Sequence, residues 1–245
     1  MSGRFLDDVR ETLLPRRDSK HGPLPPLLLG LTFVTGLVDA FSYLLLGHVF
    51  VANMTGNVVF LGFAFAGANG FSIPASLAAL SSFVFGAVIA GKAGSRLGAH
   101  RGRLLVAMTS LEALLLGAAA VVAAVSGDPV AAGYRYPLIL LLGVAMGIQN
   151  ATARKLAIPD MTTTVLTLTI TGVAADSAIA GGAGSAAGRR LMAITAMLTG
   201  ALAGAALTLH VHLVAPLVIA LIVTAAVALF SWRAGATDPA WVRPG

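Results

Sequence analysis

The stretch Gly36-Leu-Val-Asp-Ala40, continuing to Asn53-Met-Thr-Gly-Asn-Val58, has a counterpart about 110 residues later in the chain. The counterpart reads Gly147-Ile-Gln-Asn-Ala151 and continues to Asp160-Met-Thr-Thr-Thr-Val165. Both stretches place acids, amides and hydroxyls within otherwise apolar sequence. A duplicated unit with polar breaks at membrane depth is typical of transporter cores. The pattern therefore indicates where a binding site would lie, but not what it binds.

The composition places most of the chain in a lipid bilayer. Of the 245 residues, 57% are apolar and only 11% are charged, and the mean hydropathy is +0.89. Soluble domains carry about 25% charged residues. The formal net charge of +6 comes largely from short basic clusters beside apolar runs, which is typical of cytoplasmic loops and not of a nucleic-acid groove. The absence of cysteine excludes disulfides and thiolate sites, and we expect no metal and no cofactor.

The apolar runs predict an all-α integral membrane protein with about six transmembrane helices and two short or re-entrant helices. A spanning helix needs about 20 residues, so the short run 54–68 and the threonine-rich run 162–180 are the doubtful ones. The eight runs are 26–47, 54–68, 73–91, 104–126, 137–153, 162–180, 191–209 and 213–232.

Both ends of the chain are predicted to lie outside these runs. Residues 1–22 predict a short basic interfacial helix ended by Pro15, and residues 234–245 a cytoplasmic tail. A signal peptide is the weaker alternative for the start of the chain, because the apolar run that follows is too long. The membrane domain is expected to cover residues 23–233.

The distribution of lysine and arginine decides the predicted topology. If all eight runs crossed, the basic loop 92–103 would lie opposite the equally basic N-terminus. If 54–68 and 162–180 do not cross, every major basic cluster and both termini lie in the cytoplasm. Each unit, 26–126 and 137–232, then crosses three times, so the second is inverted relative to the first.

Glycine, acid and amide positions recur between the two units. The pairs are Gly36 with Gly147, Asp39 with Asn150, and Gly86 with Gly200. Small residues four apart, Gly143/Gly147 and Gly200/Gly204, also predict close contacts between helices.

The same residues resemble a known family. The stretch from Gly36 to Asn57, with Gly147-Ile-Gln-Asn-Ala-Thr-Ala-Arg154 and Thr162-Thr-Thr-Val-Leu-Thr167, is similar to the YoaK-like family of small bacterial inner-membrane proteins, a domain of unknown function. The resemblance covers about residues 24–232. It implies a multispanning bacterial membrane protein and supplies no catalytic or ligand residue. This chain departs from the pattern at Thr162-Thr-Thr164, where we expect T-T-x-x-T-G, so the position of the second break stays open.

Two acids inside the predicted spans, Asp39 and Glu112, are candidates for coupling a cation or a proton. A charge at the bilayer centre costs about 2.5–3.5 kcal/mol on insertion scales, so such an acid normally faces the bundle interior and has a partner. The alternative is that both acids are structural. Their partners would be Ser42, Tyr43 or Asn150 for Asp39, and Thr109 or Ser110 for Glu112.

Neutral oxygens at the two breaks are further candidates for binding a substrate or an ion. These residues are Asn53, Thr55 and Asn57 in the first break, and Asn150, Thr162 and Thr163 in the second. The alternative for the first break is a helix cap. Arg154 is a possible contact for an anion, although an arginine at a helix end more often anchors the membrane interface. Gln149 is expected to be structural.

These features favour a secondary transporter or permease for a small solute or ion. A non-transporting accessory or sensor protein is the alternative. An intramembrane enzyme is less favoured, because no H-E-x-x-H, G-x-S-x-G or phosphate-loop motif occurs. The expected partners are the lipid bilayer, the unknown solute and a second copy of the chain, and no nucleic acid.

Overall fold

The structure, a computed structural model, describes residues 2–15, 19–159, 166–177, 180–182, 187–236 and 239–243, and these residues form helices, turns and loops without a strand. The helices within these ranges are α1 (Ser2–Leu13), α2 (Leu24–Leu45), α3 (Met54–Phe65), α4 (Ile73–Leu97), α5 (Arg101–Val125), α6 (Ala132–Leu156), α7 (Leu166–Ala175), α8 (Ala187–His210) and α9 (Ala215–Gly235).

Six of these helices are long and apolar enough to cross a membrane. They are α2, α4, α5, α6, α8 and α9, with 21 to 25 residues each. At about 1.5 Å per residue they reach the ~30 Å thickness of the hydrocarbon core. The helices α3 and α7, with 12 and 10 residues, do not. The prediction of an all-α membrane protein with six long helices and two short ones is confirmed.

The long helices pack in pairs taken from both halves of the chain. Helix α2 packs on α8, and α4 packs on α6. Helix α5 packs on α6 and α9, and α2 also packs on α9. The short helix α3 lies on α4, as α7 lies on α8. If α2–α5 form one unit and α6–α9 the other, each of these contacts has a counterpart.

Glycines bring the backbones of the paired helices into direct contact. A Cβ atom at Gly36 would lie 2.5 Å from the Met197 oxygen and 2.6 Å from the Ala201 nitrogen of α8. A Cβ atom at Gly147 would meet the Phe83 oxygen of α4 in the same way. Any side chain larger than hydrogen would push these helices apart, as the spacing of small residues predicts.

The partner helices contribute matching glycines. A Cβ atom at Gly200 would meet the Phe33 oxygen of α2, and one at Gly86 would meet the Val144 oxygen of α6. The two crossings therefore use corresponding residues of the two halves.

One end of the bundle, here called the terminal end, holds the start of α2 and α5 and the end of α6 and α9. The 3-10 turn Ala240–Val242 packs there, with Trp241 only 3% exposed. Helix α1 lies at the same end, where Asp8 accepts a hydrogen bond from the Arg189 backbone nitrogen at 3.1 Å. The helix predicted before Pro15 is present, and part of the predicted tail is buried in the bundle.

Candidate functional site

A set of buried polar side chains lies between two of the three hydrophobic clusters of the described residues. The terminal-end core includes Leu31, Leu105 and Val227, and the far core includes Leu116 and Leu217. Helices α2, α5, α6 and α9 each pass from one core to the other through a polar stretch. The polar layer consists of Thr32, Thr35, Thr109, Glu112, Gln149, Thr152 and Thr224, and none of these residues is more than 2% exposed.

Gln149 ties α6 to α2 within this layer. Its Nε2 atom donates to the Leu31 carbonyl at 3.2 Å and to the Thr35 hydroxyl at 2.7 Å. Both amide hydrogens are therefore used. Its Oε1 atom has no hydrogen-bond partner among the described residues.

Glu112 and Thr224 lie near the same level. A Cβ atom at Gly117 would lie 3.8 Å from a methyl group of Leu221, and α5 and α9 run in opposite directions. Glu112 lies about one and a half turns from Gly117 toward the terminal end, and Thr224 lies about one turn from Leu221 in the same direction. The two side chains are therefore at a similar depth in the bundle. Thr224 also has an unpartnered hydroxyl within the described part of the chain.

Helix α2 meets α9 at this depth as well. A Cβ atom at Gly30 would lie 3.7 Å from methyl groups of both Val223 and Val227, which flank Thr224 along the chain. Since Gly30 precedes Leu31, which accepts from Gln149, all four helices share one polar level.

Glu112 is the exceptional member of the polar layer. It is 0% exposed, and neither carboxyl oxygen has a hydrogen-bond partner among the residues that the structure describes. The suggested bond to Thr109 is absent, because the Thr109 hydroxyl donates to the Leu105 carbonyl at 2.7 Å. A buried carboxylate without a counter-charge is strongly disfavoured, so this carboxyl is protonated or accompanied by a cation.

Asp39 lies about 6 Å further along α2 than Thr35 and is fully hydrogen-bonded. One carboxylate oxygen accepts from the Val51 nitrogen at 3.1 Å and the Ala52 nitrogen at 2.9 Å. The other accepts from the Asn53 side-chain amide. These partners differ from those suggested by sequence, but they favour the structural alternative: the carboxylate holds the loop between α2 and α3.

Asn57 closes the same loop from the other side. Its Oδ1 atom accepts from the Phe50 nitrogen at 2.9 Å, and its Nδ2 atom donates to the Phe50 carbonyl at 2.5 Å. Asn57 is 0% exposed, Asn53 is half-buried and Thr55 is exposed. Of the three predicted ligands in the first break, two therefore stabilise the loop and one faces outward.

The second break is only partly described. Asn150 donates to the Met146 carbonyl at 2.9 Å, and Arg154 is exposed in the last turn of α6. Thr162 and Thr163 lie outside the described residues, so their binding role stays a prediction.

The polar layer is therefore a better candidate for a binding site than the first break. Of the sequence-predicted candidates within the described residues, Glu112 alone lies in that layer. The sequence predicts only a structural role for Gln149 and does not single out Thr224. The available signal was a neutral polar residue near the middle of an apolar span, where it normally faces other helices.

A cavity of about 610 Å³ opens between the start of α5 and the end of α9. Of its lining residues on α5, Val106 and Ala107 lie nearest to Glu112, about 8–9 Å away along the helix axis. Its lining comprises His100, Gly102, Arg103, Val106, Ala107, Ser231, Trp232, Gly235 and Ala236. The cavity lies at the terminal end, and its lining includes the exposed residues Arg103, Trp232 and Ala236.

Comparison with known proteins gives a family and no activity. A family model described as "Protein of unknown function (DUF1275)" matches residues 27–230. The "UPF0700 transmembrane protein YoaK" of Bacillus subtilis (strain 168) is 38% identical over 155 residues, which are 61% of this chain and 65% of that protein. The chain thus spans slightly less than two thirds of that relative. No solved structure matches.

Proposed function

Because this chain belongs to the DUF1275 family of multispanning membrane proteins of unknown function, as its resemblance to YoaK-like proteins predicted, we propose that it is a secondary transporter or permease for a small solute or ion. The observation that carries the proposal is Glu112, a fully buried carboxyl without a partner among the described residues. Ionisable groups within membrane spans normally mark ion or substrate pathways.

The proposal includes an inverted repeat that permits alternating access. The matched contacts of α2–α5 and α6–α9, and the corresponding glycine crossings, support this arrangement. Helices α2 and α5 of one unit and α6 and α9 of the other contribute to the polar layer. A midplane site at the interface of two inverted units is where secondary transporters bind their substrates.

We propose that the terminal end lies on the cytoplasmic side of a bacterial inner membrane. The basic loop 92–103 lies at this end, as do the ends of α6 and α9. Lys155, in the last turn of α6, lies beside α4, since a Cβ atom at Gly94 would lie 3.3 Å from its Cγ atom. Clusters of lysine and arginine favour the cytoplasmic side.

In such a transporter Asp39, Asn53 and Asn57 have structural roles, and no residue has a catalytic role. The first break would then act as a rigid joint between α2 and α3. A solute would bind in the polar layer when one pair of helices moves against the other. In the second break, Thr162 and Thr163 keep the substrate- or ion-binding role that the sequence predicts.

Single-cysteine chemistry in proteoliposomes tests transport directly, because the chain contains no cysteine. Vesicles are given radiolabelled amino acids, sugars, nucleosides and organic acids as probe solutes, with pH and potential gradients imposed. We expect wild-type vesicles to accumulate at least one probe above empty vesicles. A water-soluble thiol reagent should block that uptake in Thr224→Cys, while Thr55→Cys, on the exposed face of α3, stays active.

Two results would contradict the proposal. The first is uptake equal to that of empty vesicles for every probe solute. The second is transport by Thr224→Cys that the thiol reagent leaves unchanged although mass spectrometry shows complete modification.

A further inference from the structure

We infer, on the basis of the proposed function, that the coupling ion is a proton and that Glu112 carries it within the polar layer. The neutral carboxyl group keeps its proton as a hydrogen-bond donor, and the layer holds two unpartnered acceptors, Oε1 of Gln149 and the hydroxyl of Thr224. The cavity between α5 and α9 is the route by which this proton reaches the terminal end.

The charge balance of the layer favours the proton. Among the residues that the structure describes, Glu112 is the only acid in the polar layer, which contains no described lysine, arginine or histidine. On α4, α6, α9 and the 3-10 turn, which pack against α5, the titratable groups lie outside the layer, and so do those of α2, which packs against α6 and α9. They are Arg233 on α9, Tyr134, Tyr136, Arg135, Arg154 and Lys155 on α6, Lys92 and Arg96 on α4, Arg243 beside the 3-10 turn, and Asp39 and Tyr43 on α2. No group in the layer balances a negative Glu112, so the neutral carboxyl is the form that the layer tolerates.

The hydrogen-bonding capacity of Gln149 points the same way. Both of its amide hydrogens bind α2, so its remaining Oε1 atom only accepts. A carboxylate also only accepts, and the two groups would leave each other unsatisfied. A protonated Glu112 instead offers one hydrogen-bond donor to a layer in which Oε1 of Gln149 and the hydroxyl of Thr224 are unpartnered acceptors.

A metal cation fits the layer less well. Hard cations such as Ca²⁺ take about six to eight oxygen ligands. The unpartnered oxygens of the layer are four atoms from three residues, Glu112, Gln149 and Thr224. No cluster of three or more acidic, histidine or cysteine side chains occurs in the described ranges.

The path to water is short on one side. Val106 lines the cavity and lies about 9 Å along α5 from Glu112. Thr109 lies between them on the same helix, and Ser231 of α9 lines the cavity opposite. A modest shift of α5 against α9 would join the cavity to the polar layer, whereas the far core closes the other side.

Infrared difference spectroscopy tests proton binding without any solute. At pH 7 an exposed carboxyl group, with an ordinary pKa near 4, is ionised. Both side-chain oxygens of Asp39 accept hydrogen bonds from N–H groups, which stabilise the charged form, so we expect Asp39 to be a carboxylate. The carboxylic C=O band of the wild-type protein at pH 7 should therefore belong to Glu112. It should disappear in Glu112→Gln and persist in Glu11→Gln, which makes the same change at an exposed acid of α1.

Flux measurements test whether this proton is coupled. With the probe solute that the wild-type protein accumulates, Glu112→Gln should lose accumulation driven by a pH gradient and keep solute exchange at equal pH. Glu11→Gln should keep both. If Glu112→Gln fails to fold, Glu112→Asp replaces it and should retain the infrared band at a shifted frequency.

The outcomes separate this inference from the transporter proposal. A band without any solute flux supports proton binding and contradicts transport. Flux without the band, or accumulation by Glu112→Gln driven by the pH gradient, overturns proton coupling while transport stands. Stabilisation of the wild-type protein, but not of Glu112→Gln, by Na⁺ at fixed pH would also overturn it and assign the layer to a metal cation.

Discussion

Replacing Asp39 with asparagine tests whether this acid holds the first break together. The Asp39 carboxylate accepts two backbone hydrogen bonds, from Val51 and Ala52, and one from the Asn53 side chain. In Asp39→Asn one oxygen keeps the backbone bonds, but an amide group replaces the other oxygen and faces the Asn53 amide. Two donors then oppose each other.

The expected loss of stability follows from these contacts. Hydrogen bonds to a charged group contribute about 1.5–3 kcal/mol and neutral ones about 0.5–1.5, so the two backbone bonds lose about 1 kcal/mol each. The unmade bond to half-buried Asn53 costs about 1–2 kcal/mol more. The total of about 3–4 kcal/mol corresponds to a fall in Tm of about 6–16 °C for a chain of this size.

Thermal unfolding of the purified protein in detergent measures this difference. The matched control is Asp7→Asn, the same change at an exposed acid of α1, which should leave Tm unchanged. An Asp39→Asn protein with the Tm of the wild type would refute the structural role. If that stable variant also lost pH-driven uptake, the coupling role predicted for Asp39 from sequence would be favoured instead.

Two further variants test helix contact and pH dependence. Gly147→Ala should lower the free energy of unfolding by about 1–3 kcal/mol, because its methyl group meets the α4 backbone. The control is Gly91→Ala, which has open space around it. In the same unfolding assay its free energy of unfolding should stay unchanged or rise by up to about 1 kcal/mol. Burial, with the charges of Arg101, Arg189 and Lys20, lowers the pKa of His21 from its ordinary value of 6.5. The unfolded chain therefore binds a proton first as pH falls below about 6.5, so wild-type Tm should fall between about pH 6.5 and pH 5. His21→Gln should weaken this fall, and an unchanged slope would contradict the assignment.

The helices could be predicted from sequence because the bilayer imposes a simple length rule. Apolar runs near 20 residues became the six long helices, and the short run at 54–68 became the 12-residue helix α3. Backbone hydrogen bonds must be satisfied within each span, so hydropathy and length decide where a helix forms. The boundaries differ by several residues because helix ends depend on local caps, such as His100 at the start of α5, whose ring nitrogen accepts from the Arg103 nitrogen.

The roles of the polar residues could not be predicted in this way. Asp39 and Glu112 both read as acids buried in apolar sequence, yet one has every oxygen engaged and the other has none among the described residues. The donors for Asp39 are 12 to 14 residues away in a loop whose path depends on Asn57. Nothing in the periodicity of α2 indicates where that loop turns.

Hydropathy, glycine spacing and charge by themselves determined that this chain is a bundle of six long helices and that it belongs in a membrane, because these properties act locally along each segment. Only the tertiary structure decided which polar groups share a layer. The polar groups of Glu112, Gln149 and Thr224 lie on three helices that are far apart in sequence. Their common depth is set by the axial positions at which α5, α6 and α9 pack against one another. That register depends on contacts between helices, such as Gly117 against Leu221, which no single segment encodes.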